Sequence, residues 1–126
     1  MLIDSHVLLW ILTDDPRLGG SARRRLAQSP QVFVSSISVL ELTIKKMLGR
    51  LTFPDDLPAL ISREGLRNAP WAAEDAERLL QFPEFVRHDP FDRALLAQAS
   101  RQDWEFLTAD ERLLRLGLPW VVDARA

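Results

Sequence analysis

The chain has 126 residues, 47% of them hydrophobic, which suits a single domain of ordinary size with a real core. It contains no cysteine, so disulfides, zinc–thiolate sites and thiol catalysis are excluded, and only two histidines argue against a His-rich metal site. The formal net charge of −2 supplies no global basic field for nucleic acid, so such binding would have to rest on local clusters.

Leu2 and Ile3 lead into Asp4, and the apolar His6 to Leu12 segment that follows reads as a short buried strand turning into a helix. Carrying Asp4 and His6 and lacking a basic leader, this start resembles neither a signal peptide nor a spanning helix, and the expectation is a soluble, cytoplasmic protein with no membrane partner. Asp14, Asp15 and Pro16 end that helix. Ser21 is then expected to cap a basic helix, with Arg23, Arg24 and Arg25, running to about Gln28. Val32 to Ser35 has the β-branched and aromatic character of a second strand. Ser38 is expected to open the next helix, whose apolar Val39, Leu40, Ile44, Met47 and Leu48 recur at helical spacing up to Gly49. After the Leu51 to Pro54 link, two more helices are expected, Leu57 to about Arg67 and Ala73 to Leu80, with Pro70 and Trp71 extended between them and Pro83 ending the second. Asp89 opens a strong helix through about Gln102, and Trp104 to Thr108 is a strand. A short helix from Asp110 to Leu116 and a strand from Trp120 to Val122 complete the pattern. Helices alternating with short apolar strands predict an α/β fold in which helices cover both faces of a parallel sheet, with no repeat and no linker dividing residues 1–126.

Asp4, Glu41, Asp92 and Asp110 all sit where an apolar run meets a helical pattern. Each has a structural reading. Asp4 and Asp89 suit N-caps, Asp92 a first helical turn, and Glu41 an i,i+4 pair with Lys45. Ser38–Glu41 and Thr108–Glu111 both match capping boxes. As a set they allow more, because in a parallel α/β sheet the carboxyl ends of strands and the following helix N-termini face one crevice. Four carboxylates there would repel unless their pKa values rise or a cation joins them, and an all-oxygen donor set suits Mg²⁺ or Mn²⁺. Ions of this kind activate water and offset phosphate charge in phosphodiester hydrolysis. The chemistry indicated is therefore that of a metal-dependent nuclease. Thr108 and Ser38 are candidate supporting hydroxyls, Asp89 a candidate outer acid, and His6 is expected to be packed or hydrogen-bonded rather than a ligand. Arg93, Lys45, Lys46 and Arg50 are candidates for RNA phosphate contacts, with a solvated helix face as the plain alternative.

Four stretches carry a family resemblance: Leu2–Trp10; Ser38–Lys45 with Leu48–Leu51; His88–Ala99, which contains Asp-Pro-Phe-Asp92-Arg; and Leu107–Asp110. In that order they resemble the PIN-domain family, specifically its VapC-type ribonuclease toxins. Ser5 stands where Thr is common in that family, and Leu40 where this branch often has Trp. The resemblance implies a three-layer α/β/α sandwich with a mainly parallel sheet and an Mg²⁺ or Mn²⁺ site. It also implies endoribonuclease activity toward RNA, a cognate VapB-type antitoxin, and homodimers that join toxin–antitoxin hetero-oligomers. By motif match Asp4, Glu41, Asp92 and Asp110 take the acidic positions, with Thr108 as the supporting hydroxyl. An antitoxin helix or tail would then dock on apolar residues of the early helices, with Leu8, Trp10, Ile11, Leu12 and Ile44 as candidates. The alternative is a non-catalytic, antitoxin-binding and autoregulatory module of the same fold. A doubly wound phosphatase is disfavoured, since those enzymes usually carry a second Asp where this chain has His6.

Overall fold

The computed structural model describes residues 1–87 and 89–126, so His88, in the quoted His88–Ala99 stretch, lies outside the described residues. Five parallel strands make one sheet: β1 (Leu2–Ile3), β2 (Phe33–Ser35), β3 (Arg67–Ala69), β4 (Phe106–Thr108) and β5 (Val121–Asp123), in spatial order β3-β2-β1-β4-β5. Among the described residues, seven α-helices connect and flank them: α1 (Ser5–Leu12), α2 (Gly20–Gln28), α3 (Ser36–Met47), α4 (Leu57–Arg63), α5 (Ala73–Arg78), α6 (Pro90–Gln102) and α7 (Glu111–Leu114).

Strands of two or three residues suffice because each alternation of side chains feeds a different core layer. Ile3, Val34 and Leu107 pack on one face with Val7, Leu8 and Trp10 of α1, Leu42 of α3 and Ile61 of α4. Leu2 and Phe106 point to the other face, against Leu95, Leu96 and Ala99 of α6 and Leu113 of α7. The result is the expected three-layer α/β/α sandwich. Chain connections move outward in one direction from β1 to β2 and β3 and in the other from β4 to β5, so the strand order reverses between β1 and β4. That is the position where the carboxyl edge of such a sheet opens a crevice.

Several expected boundaries move. α2 is capped by Gly19 rather than Ser21. α3 starts at Ser36, with the Ser35 hydroxyl accepting from Ile37 N at 3.1 Å, so Ser38 is not its cap and the Ser38–Glu41 capping box does not form. The helix expected to reach Arg67 stops at Arg63, because Gly65 takes a positive φ of 75° and turns the chain into β3. The pattern gave no sign of β3: it lies at the sheet edge with two of its three residues exposed, so Arg67 and Asn68 need not be apolar. Pro83 begins a 3₁₀ turn instead of only ending a helix.

Candidate active site

Four segments deliver acids to the β1/β4 crevice. Asp4 follows β1 immediately and caps α1, although its contact with His6 N is long at 3.4 Å. The stronger bond comes from across the sheet, where the Thr108 hydroxyl donates to Asp4 Oδ2 at 2.6 Å. That hydroxyl also accepts from Asp110 N at 3.0 Å, fixing the turn that leads from β4 into α7. Asp110 caps α7 by accepting from Arg112 N at 2.8 Å. Asp89 caps α6 through Phe91 N at 2.8 Å, which sets Asp92 in the first turn beside the positive end of the helix dipole. Glu41, one turn into α3, accepts from the Ser5 hydroxyl and from Lys45 Nζ, each at 2.7 Å.

Asp4, Glu41, Asp89, Asp92 and Asp110 line one cavity of about 300 Å³, together with His6, Trp10, Arg17, Lys45, Ala109 and Arg125. Asp4 is only 3% exposed and Glu41 4%. Removal from water raises the Asp4 carboxyl above its ordinary range, and the Thr108 bond partly opposes the rise. Asp92 is pushed up to about 8, first by burial, then by the charge of Asp4, the hydrogen bond with Asp110, and the charges of Asp110 and Asp89. Near neutral pH, then, Asp92 keeps a proton that it can donate to Asp110. Among the described residues, Lys45 is the positive group bonded directly to one of these carboxylates.

This donor set fits a hard divalent cation in kind: oxygens only, several acidic groups in one crevice, and a carboxyl whose pKa is raised by burial and then by its neighbours. Among the described residues, no three His, Asp or Glu side chains are gathered closely enough to enclose an ion in this arrangement. Glu41 is turned toward Ser5 and Lys45, and Asp4 toward Thr108, so an ion would bind with reorientation of these groups.

The other expected participants are placed as follows. Ser38 is buried, and its hydroxyl has no partner among the described residues. Of the four basic candidates, only Lys45 lines the cavity. Lys46, turned about 100° around the helix, donates to Phe53 O and to Asp55. Arg93 faces the Leu79–Val86 side and donates to Val86 O. Arg50 lies exposed beyond the end of α3. His6 is exposed at the cavity rather than packed, because helical spacing turns it away from its buried neighbours Val7 and Leu8. Leu8 and Trp10 belong to the core and are not free for docking, whereas Leu40, Ile44, Met47 and Leu48 form an exposed apolar stripe along α3. Sequence reasoning missed Ser5, which holds Glu41, and Arg17 and Arg125, which reach the cavity from distant segments. Only Ser5, adjacent to Asp4, offered a local signal.

The sequence resembles Ribonuclease VapC22 of Mycobacterium tuberculosis, at 26% identity over 115 residues covering 90% of this chain and 88% of the relative. In structure it is similar to a toxin–antitoxin complex from Klebsiella pneumoniae, with a TM-score of 0.67 and 20% identity over 96% of this chain and 94% of that one. VapBC2 from Rickettsia felis, bound to a DNA fragment from its promoter, is also similar, with a TM-score of 0.63 and 13% identity over 97% and 95%. The PIN-domain family model matches residues 1–118, and the chain belongs to that family.

Proposed function

We propose that this protein is a metal-dependent endoribonuclease that hydrolyses RNA phosphodiester bonds, and that it is the toxin of a VapBC-type toxin–antitoxin pair. The observation that carries the reading is the convergence of Asp4, Glu41, Asp92 and Asp110 from four separate segments on one cavity at the sheet's switch point. The relative named a ribonuclease and the toxin–antitoxin complexes of the same fold support it.

Asp4, Glu41, Asp92 and Asp110 are the residues that would hold Mg²⁺ or Mn²⁺. Such an ion supplies a nucleophilic oxygen at neutral pH and neutralises charge on the phosphate. The chain's own groups prepare the site. Thr108 fixes Asp4, Ser5 fixes Glu41, and the amides at the starts of α6 and α7 orient Asp89 and Asp110. Asp92 would give up its proton if a cation were bound, because the cation would offset the neighbouring carboxylate charges. Lys45 lines the cavity bonded to Glu41, and it would be free to face an RNA phosphate if Glu41 turned to hold the ion.

The partner proposed is a VapB-type antitoxin, for which the exposed Leu40, Ile44, Met47 and Leu48 stripe of α3 offers an apolar docking face, alongside a homodimer. Among the described residues, no helix is long and apolar enough to cross a membrane. The proposed compartment is the cytoplasm.

The test is cleavage of a mixed cellular RNA pool with Mg²⁺, with Mn²⁺ and with EDTA, beside the Asp4→Asn protein. Metal-dependent cleavage that the variant lacks is the expected result. Folded, antitoxin-free protein that leaves every RNA class intact would refute the nuclease and favour the non-catalytic antitoxin-binding module.

A further inference from the structure

We propose that Arg17 and Arg125, gathered on the indole of Trp10, form a two-guanidinium clip that holds a backbone phosphate of single-stranded RNA beside the acidic cavity; this rests on the nuclease reading above. Both arginines line the cavity with the carboxylates. Their guanidinium carbons lie 5.1 and 5.7 Å from the same Trp10 ring centroid. That ring is 4% exposed and fixed in the core, so both cations rest against a rigid plate.

The two cations are held by different means, and both keep donors free. Arg17 gives Nε and Nη2 to Asp15, at 3.1 and 2.7 Å, leaving Nη1. Arg125 gives Nη1 to Ala109 O at 2.8 Å, leaving Nε and Nη2 without partners among the described residues. Its backbone is locked in place as well. Ala124 N donates to Thr108 O at 2.8 Å, Gly19 N to Ala124 O at 2.9 Å, and Ala22 N to Ala126 O at 3.1 Å. The carbonyls of Arg125 and Ala126 pass so close to Gly19 that a Cβ there would collide with them. With its backbone fixed and one guanidinium hydrogen bond already made, Arg125 loses less freedom on binding than an arginine on a loose tail would.

Asp15 is the bonded counter-charge of Arg17 alone, and Arg125 has no ion-pair partner among the described residues, so the Trp10 side of the cavity carries positive charge that its own carboxylates do not pair. An anion bound there would take up the unused guanidinium donors of both. Planar guanidinium forks match the oxygens of a phosphodiester, the anion that the nuclease reading places at this cavity. With Lys45 also at the cavity, the acidic centre has cationic groups from three segments that draw the RNA backbone to it.

The test is fluorescence anisotropy of a labelled single-stranded oligoribonucleotide, titrated with the full chain carrying Asp92→Asn so that the probe stays intact, in Mg²⁺ at several NaCl concentrations. Adding Arg125→Gln should weaken binding roughly 5- to 10-fold and make the slope of log affinity against log salt shallower by about 0.7, the share of one single-strand phosphate. Arg17→Gln should act in the same direction. Its partner Asp15 lies in a loop, so this variant keeps the test intact if Arg125→Gln impairs folding. In chains that retain Asp92, the arginine substitutions should raise KM for RNA more than they lower kcat. Parental affinity and parental salt slope in both arginine variants would overturn the clip while leaving the nuclease standing, provided the parent cleaves RNA. A parent that neither cleaves nor binds RNA would overturn both.

Discussion

Replacing Asp92 by Asn should stabilise the metal-free protein, the reverse of the usual effect of altering a site residue. In the folded chain, burial and then Asp4, Asp110 and Asp89 push this carboxyl up to about 8. The unfolded chain releases the proton near the ordinary carboxylate value, so between pH ~4 and ~8 the native state binds more protons than the unfolded one. Metal-free stability must therefore rise as pH falls through that window, and the raised Asp4 carboxyl adds to the same slope. At about 1.4 kcal/mol per pH unit the upper bound is roughly 6 kcal/mol at high pH. Asp92 is only half-buried, and screening by solvent reduces the expected contribution to about 2 kcal/mol. Asn keeps the shape and never ionises. Urea unfolding in EDTA from pH 5 to 9 should show wild-type stability falling with pH and the variant, which keeps Asp4, falling less steeply, more stable by about 2 kcal/mol at pH 7.5 and higher in Tm by roughly 6–10 °C. Mg²⁺ should restore the wild type at high pH and do little for the variant. A less stable Asp92→Asn protein at pH 7.5, or wild-type stability rising between pH 5 and 8, would refute the repulsion argument.

Two further substitutions probe the support of the site, and a third probes a buried ion pair of the fold. Thr108→Val removes the donor to Asp4 and the acceptor of Asp110 N, so it should cost about 1–3 kcal/mol in chemical unfolding and lower RNA cleavage at least tenfold, while Thr108→Ser keeps most of both. Gly19→Ala places a methyl against the Arg125 and Ala126 carbonyls and should cost about 1–3 kcal/mol, with faster hydrogen exchange at the Ala124 amide, which donates to Thr108 O. Asp75 is fully buried, accepts from Ala72 N and pairs with Arg101. Asp75→Ala should therefore cost about 3 kcal/mol, and adding Arg101→Met should recover part of the loss in a double-mutant cycle.

The sequence made the layer order legible wherever an element carries its own pattern. α3 and α6 announce themselves by apolar spacing and, for α6, by Asp-Pro at its start. β1 and β4 are legible because each is completely buried. β3 was not legible: an edge strand of Arg67, Asn68 and Ala69 is a strand only because β2 hydrogen-bonds to it. The start of α3 was misplaced for a similar reason. Three serines, Ser35, Ser36 and Ser38, compete for the cap, and the end of the β2 ladder at Ser35 decides among them. The four acids were legible as positions after strands or in first turns. Their common cavity depends on the β1/β4 reversal, which no local pattern encodes. Arg17 and Arg125 were hidden for the same reason, since only the folded tail brings residue 125 to the Trp10 ring.

Whether Asp4 is chiefly a helix cap or chiefly a site residue can be decided from its bonds. As a cap it makes one contact of 3.4 Å with His6 N, near the limit of a hydrogen bond, whereas the Thr108 hydroxyl holds its other oxygen at 2.6 Å. Asn is as good an N-cap as Asp, and its carbonyl oxygen accepts from either donor. Asp4→Asn also removes a charge whose burial raises its own pKa, so the metal-free fold loses little and gains some relief. The expected result is an unfolding free energy within about 1 kcal/mol of the parent, an unchanged far-UV spectrum, and no RNA cleavage. Collapse of the fold in this variant would make Asp4 a structural cap after all. Full activity would place the chemistry elsewhere.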